Sequence, residues 1–243
     1  MLLHGTYWSR VWFPVLGRLA KTGLRPIAVD LPGLGHSAGE LTLETATVPA
    51  LADWVVRFAS ALKLSGPTAV AGHDIGGAIA QHLLVHDRLT VCVPAGVGQL
   101  SHLRLLASAT VARFQGPGTA ADDVLAARRQ AVTAALGGAA TEQRIADYLN
   151  PWTTARVRRS WTVLAAAADS RYTLDLLPAL RRSTTPKLLI WGEDDPFETV
   201  DYAERFAAEI PHTTLIRVPD AGHIPTENAP HHIACALIDF FTA

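Results

Sequence analysis

This 243-residue chain has few residues of several diagnostic kinds, and each shortage removes a class of explanation. It holds only two cysteines, Cys92 and Cys235, too few for a disulfide framework or a zinc pattern. Both sit in apolar contexts and read as buried small hydrophobes of a cytoplasmic protein. The 21 Lys+Arg and 22 Asp+Glu leave a net charge of −1, so nothing points to nucleic acid as a partner. No apolar run reaches the roughly 18 residues of a membrane span, and Met1 is not followed by the basic segment and apolar stretch of a signal peptide. A chain with neither leader nor membrane anchor is expected. No histidine–carboxylate cluster has metal-ligand spacing and no glycine-rich phosphate loop appears, so neither a metal nor an organic cofactor is implied. With 49% hydrophobic and 18% charged residues, the composition is that of an ordinary globular protein with one sizeable core.

Short β-type runs alternate with helical stretches, the pattern of a parallel α/β sheet. Strands are expected at Leu2-Leu3, Pro26–Val29, Thr68–Val70, Val91–Val93, Lys187–Trp191 and Thr214–Val218. Most are apolar throughout, as in strands covered on both faces. Val11, Trp12, Val15, Leu16 and Leu19 recur at helical spacing, as do Leu51, Trp54, Val55, Phe58 and Leu62. From about Gly98 to Leu180 the alternation stops. Helices are expected there near 101–113, 120–136, 142–149, 154–168 and 173–182, punctuated by Gly116-Pro117-Gly118 and Asn150-Pro151. The implied organisation is a core of residues 1–97 and 181–243, with an all-helical lid of residues 98–180 over the carboxyl edge of the sheet, where open α/β folds bind ligands.

The most informative stretch is Gly72-His73-Asp74-Ile75-Gly76. An apolar β-type run enters it and a helix-like run leaves it. That is the layout of a nucleophile elbow, in which a strained strand-to-helix turn lifts one side chain above the sheet. Gly72 and Gly76 leave room for backbone segments to approach. The apex is Asp74 where serine is usual. Alone, a Gly-x-Asp-x-Gly match reads more readily as a solvated turn. Two further sites change that. Trp191-Gly192-Glu193-Asp194-Asp195-Pro196-Phe197 follows one strand, and Pro219-Asp220-Ala221-Gly222-His223-Ile224-Pro225 follows the next. Each alone reads as an acidic turn or a loop histidine. Together they give nucleophile, acid and histidine in the order a hydrolase triad requires, all at the same sheet edge. Leu2-Leu3-His4-Gly5-Thr6 adds a strand running into a His-Gly turn, which assigns oxyanion donors to the amides of Thr6 and Ile75. His4 and His36 read as loop-ordering residues.

On these matches, at residues 4–5, 30–37, 72–77, 191–197 and 222–223, the chain resembles an α/β-hydrolase. The Gly-His-Asp-x-Gly-Gly elbow is similar to the aspartate-nucleophile branch, which includes epoxide hydrolases and haloalkane or haloacid dehalogenases. The resemblance implies Asp74 as nucleophile, His223 as base and Asp195 as the acid, with Asp194 as the runner-up. A carboxylate is already ionised at neutral pH, and its attack on saturated carbon yields an alkyl ester that persists until water is activated against it. Its attack on an ester or amide yields an anhydride that reverts. Epoxides and alkyl halides are therefore favoured as substrates.

An epoxide oxygen needs a proton, which the family supplies from lid tyrosines, here Tyr148 or Tyr172. The family spacing of the late-lid tyrosine falls instead on Trp161, whose indole N–H can support a halide or an oxygen. His102 is a further early-lid candidate. Ile75 counts against the tryptophan or arginine that dehalogenases place after the nucleophile, so epoxide opening is read first and dehalogenation second. A non-hydrolytic cyclase or lyase, or a ligand receptor, remains open on the same fold. The expected partner is a small apolar molecule. The family's first two strands have no counterpart before Leu2, which leaves a misassigned start, a shortened chain or a sheet of about six strands; in the last case the 26–29 strand is exposed at an edge. Such an edge invites pairing between chains, hence either a homodimer or low stability.

Overall fold

A computed structural model describes residues 1–64, 66, 68–87, 94–97 and 121–243 of the protein. Six strands form one parallel sheet: β1 (Leu2–Leu3), β2 (Ala28–Val29), β3 (Val70–His73), β4 (Pro94–Val97), β5 (Lys187–Gly192) and β6 (Thr213–Val218). Their order is β2-β1-β3-β4-β5-β6. The chain lays β2 on one side of β1 and then crosses back to lay β3 on the other. That reversal opens a crevice beyond the carboxyl ends of β1 and β3, the place where such sheets bind ligands. Adjacent residues of each strand point to opposite faces. Leu3, Val70 and Leu189 thus enter one apolar cluster, while Leu2, Ala71 and Leu188 enter the other.

Helices cover both faces. They are α1 (Phe13–Ala20), α2 (Val48–Ala61) and α3 (Ile75–Val85), then, after β4, α4 (Ala121–Leu136), α5 (Glu142–Leu149), α6 (Ala155–Ala167), α7 (Arg171–Leu174) and α8 (Leu177–Arg182). The core resumes with α9 (Val200–Glu209), α10 (Pro225–Asn228) and α11 (Pro230–Thr242). Pro14 sits in the first turn of α1, where the missing N–H costs nothing. Thr47 caps α2 by accepting from the Ala50 amide. The helices expected near 120–136, 142–149 and 154–168 are α4, α5 and α6. The one expected at 173–182 is broken into α7 and α8, with Pro178 in the first turn of the second.

Some elements differ from the sequence reading. The third strand begins at Val70 and runs on through Gly72 and His73, which pair in register with Gly96 and Val97. Residues that look like a turn by composition are held in the sheet by their neighbours, Gly72 on both sides and His73 on one. β2 shrinks to Ala28–Val29. The fourth strand is Pro94–Val97, whereas Val91–Val93, Cys92 and the helix expected at 101–113, with His102, lie outside the described residues. Cys235 is exposed, not buried. On α11 the core-facing positions are Ile233, Ala234 and Leu237, which turn Cys235 outward.

The helices between β4 and β5 are stitched to the core. The last carbonyls of α4 accept from the Ile224 amide (3.1 Å, Ala135) and the Asn228 side chain (3.0 Å, Leu136). Buried Glu227 holds Arg10 at 2.5 Å and Arg144 at 3.4 Å, and accepts from the Tyr148 hydroxyl at 3.0 Å. Glu227→Ala removes the buried carboxylate of this group and leaves partly buried Arg10 only the more exposed Asp147 at 3.8 Å. It is expected to destabilise the protein by about 3 kcal/mol, read as a clear fall in Tm; an unchanged Tm would show that the clamp contributes nothing. β2 ends the sheet, and pairing of two chains along it predicts a dimer in light scattering, whereas a monodisperse monomer with an ordinary melting point removes that expectation.

Candidate active site

Asp74 stands between β3 and α3 with φ 55° and ψ −125°. A non-glycine residue holds such a conformation only when its surroundings enforce it. They do so because backbones meet where side chains are absent. A Cβ on Gly72 would stand 2.0 Å from the Gly76 carbonyl oxygen, and one on Gly76 2.4 Å from that of Leu3. The turn pushes the Asp74 carboxylate toward the loop after β1. There Oδ2 accepts from the Thr6 amide (2.9 Å) and the Thr6 hydroxyl (2.7 Å). Oδ1 receives no hydrogen bond among the described residues. Ile75 is the first residue of α3, so its amide has no carbonyl partner within the helix, and the helix dipole there favours negative charge.

His223 follows β6 and Asp195 follows β5. The imidazole Nδ1 donates to Asp195 Oδ2 at 2.8 Å. Asp195 Oδ1 accepts from the Phe197 and Glu198 amides at 2.9 and 3.0 Å. Asp195 is 7% exposed, whereas Asp194 points to solvent; of the two candidate acids, the structure brings Asp195 to the histidine. Asp74 and His223 are each 6% exposed. Burial alone would raise the Asp74 carboxyl, but the charges of His223 and His73 and the two Thr6 hydrogen bonds hold it below the ordinary carboxylate range. Burial would also lower His223, yet Asp195 first and then Asp74 lift it to about 9.

The surrounding loops hold these groups still. His4 accepts from the Leu31 amide (2.8 Å) at Nε2 and donates from Nδ1 to the Gly5 carbonyl (2.9 Å), which fixes one neutral tautomer. Its role is the loop-ordering one. Asp30 gathers the Ser9 and His36 amides at 2.7 and 2.9 Å, tying the loops after β1 and β2 together. His36 lies on that loop with its ring 5.0 Å from Trp8.

Four residues escaped the sequence reading. His73 donates from Nε2 to the His223 carbonyl at 2.8 Å, joining the elbow to the histidine loop. Tyr7 packs its ring 6.0 Å from that of His223 and 5.9 Å from that of His73. Burial keeps its phenol protonated well above the usual range. Arg128 reaches from α4 to the Thr6 carbonyl at 3.4 Å. Glu227 holds the clamp described above. The signal for Arg128 was present: Val124, Arg128 and Val132 share one buried stripe of α4 at four-residue spacing, so a charge occupies a core position.

The proposed leaving-group donors fare unevenly. Tyr148 is fully buried, but its hydroxyl is given to Glu227, not to a group on Asp74. Clamping the helices to the core consumes the proton assigned to catalysis. Tyr172 is half-buried against the larger apolar cluster, and the structure gives its phenol no bond to Asp74, His223 or Asp195. Trp161 is buried against Trp152, with ring centroids 5.0 Å apart, and lies under the Arg128 guanidinium. A cavity of about 460 Å³ lined by Met1, Pro26, Ile27, Thr68 and Phe241 lies at the amino ends of the strands, away from these groups.

A strained apical carboxylate on a parallel sheet, with a histidine–aspartate pair near enough for its charge to be felt, defines a class of fold and site. A family model described as the alpha/beta hydrolase family matches residues 1–234, and the chain belongs to that family. It is 24% identical to the uncharacterized hydrolase YugF of Bacillus subtilis (strain 168), over 98% of this chain and 88% of that one. Over 59 residues, 24% of this chain and 21% of the relative, it is 41% identical to haloalkane dehalogenase 2 of Mycobacterium tuberculosis (strain ATCC 25618 / H37Rv). An α/β hydrolase fold protein from Burkholderia ambifaria superposes with a TM-score of 0.78 at 25% identity, covering 98% of this chain and 88% of that chain. The protein is thus a hydrolase of the α/β fold. Among the described residues, no helix is long and apolar enough to cross a membrane.

The His223 value carries a pH prediction. Its folded pKa of about 9 lies above the ordinary 6.5, so the stability it contributes is complete below about pH 6.5 and is lost as pH rises through about 9. In Asp195→Asn the largest upward influence goes while that of Asp74 remains. The His223 titration followed by NMR should then fall clearly below about 9; a midpoint still near 9 would show that Asp195 is not its cause.

Proposed function

We propose that the protein hydrolyses small molecules at saturated carbon through an ester on Asp74, opening epoxides to diols. The observation that carries this is the carboxylate itself, with one oxygen bound and the other open. Oδ2 is pinned by Thr6, so Oδ1 attacks. As the Oδ1–carbon bond forms, the ring C–O bond breaks and its electron pair goes to the epoxide oxygen. Tyr7, a buried protonated phenol beside His223, donates the proton that oxygen needs. The His223 imidazolium restores the phenol, so one proton leaves His223 and one arrives on the alcohol.

Esterification removes the Asp74 charge, one of the charges that raise His223. The imidazole is left neutral and able to take a proton from water. The hydroxide attacks Cγ, and Oδ2 becomes an oxyanion facing the Thr6 and Ile75 amides, each such donor contributing about 3–4 kcal/mol. Collapse breaks the Cγ–Oδ1 bond and releases the alkoxide, which takes the proton freed when the carboxylic acid ionises. The diol leaves, and the carboxylate and imidazolium are restored. Asp195 holds the ring and balances its charge.

Dehalogenation is the second reading, favoured by the resemblance to haloalkane dehalogenase 2. Halide would then leave with the bonding pair and no proton donor would be required.

Single turnover in heavy-oxygen water tests the ester. One heavy oxygen should appear in the peptide bearing Asp74, and Asp74→Asn should abolish turnover. Turnover without label in that peptide removes the covalent reading and returns the site to acid–base chemistry. Tyr7→Phe should slow epoxide opening about 100-fold or more while sparing halide release; equal loss of both would remove Tyr7 as the acid.

A further inference from the structure

Arg128 forms no ion pair among the described residues, and its position identifies what would supply one. We propose that it binds a carboxylate of the substrate, so that the molecules processed are small acids carrying the epoxide or halide next to the carboxylate. This rests on the Asp74 reading and narrows it.

Arg128 is 6% exposed, and a buried cation is costly unless an anion answers it. Nearby buried and half-buried charges are answered: Arg10 and Arg144 by Glu227, and His223 by Asp195. Among the described residues Arg128 forms no ion pair. Its polar contacts are a long one from Nη2 to the Thr6 carbonyl and one to the Tyr7 phenol. Nε is buried with no partner at all.

Aromatic rings surround the guanidinium, with Cζ 4.4 Å from the Trp152 centroid and 5.0 Å from those of Tyr7 and Trp161. What remains to be answered is its N–H groups, Nε among them. Two parallel N–H bonds from a guanidinium match a carboxylate, whereas a spherical halide uses the fork no better than a lysine would. The site lies beside the nucleophile, because Thr6 bonds Arg128 through its carbonyl and Asp74 through its amide and hydroxyl.

Charge balance favours the same occupant. In the resting protein the nearby Asp74 charge acts on Arg128. Ester formation abolishes that charge. A neutral substrate would leave the buried guanidinium unanswered at that moment, whereas a substrate carboxylate answers it throughout.

Paired substrates provide the test: glycidate against glycidamide, and 2-chloropropionate against 2-chloropropionamide. The acids should exceed the amides at least 10-fold in kcat/KM. Arg128→Lys keeps the charge and loses the fork, and should reduce that ratio about 10-fold. A ratio within one preparation is insensitive to how much variant folds. Equal rates for acid and amide, with heavy oxygen still entering the Asp74 peptide, would overturn the carboxylate site and leave the ester standing.

Binding is read separately from turnover. Propionate, which has no leaving group, should change the tryptophan fluorescence of the unmodified protein through Trp152 and Trp161; propionamide should not, and Arg128→Lys should weaken the response about 10-fold. This arm decides the proposal even if no ester forms. Sodium chloride reproducing the propionate response at equal concentration would assign the site to a departing halide and overturn it.

Discussion

The two hydrogen bonds from Thr6 to one oxygen of Asp74 are the interaction on which this site depends. They bind the loop after β1 to the turn after β3 across the crevice where the sheet reverses direction. They also make the two oxygens of a symmetric group unlike. One is committed to Thr6, and the other is the oxygen to which the proposed reaction assigns the attack. The strained backbone at Asp74 is tolerated because Gly72 and Gly76 let three backbone segments meet there. A methyl group at either glycine collides with a carbonyl, so the geometry is fixed by what is missing as much as by what is present.

Around that carboxylate the charges form one system. His223 and His73 draw Asp74 toward its ionised form, while Asp74 and Asp195 draw His223 toward its protonated form. Chemistry at Asp74 therefore changes the basicity of His223 without any movement. A serine at the apex would carry no charge to lose, and its imidazole would have to begin as a base. In the proposed reaction the same imidazole begins charged and becomes a base only after the ester exists, which separates the two halves of the reaction in time.

Much of this was legible in the sequence because it lay in local patterns. The elbow, the two loops after the last strands and the His-Gly turn each announce themselves within seven residues, and strand order then places them on one edge. Asp195 over Asp194 was decided by the family spacing and agrees with the hydrogen bond to His223. What escaped depends on distant partners. Tyr148 has the right residue type in the right segment, but Glu227, 79 positions away in sequence, takes its hydroxyl. Cys235 looked apolar in its neighbours, while helix phase turned it outward. Arg128 was overlooked because arginine is common in these helices; only its place between Val124 and Val132 on the buried stripe sets it apart. β3 was drawn short because sheet pairing, of Gly72 with Leu3 and Gly96 and of His73 with Val97, makes them a strand against their own preference.

The most direct measurement is the intact mass and crystal structure of His223→Gln after exposure to a reactive small epoxide. The account predicts a protein heavier by one substrate, with continuous density from Asp74 Oδ1 to a tetrahedral carbon and Oδ2 still on Thr6. An unmodified mass, in a variant that binds the substrate and keeps the wild-type fold, would contradict it.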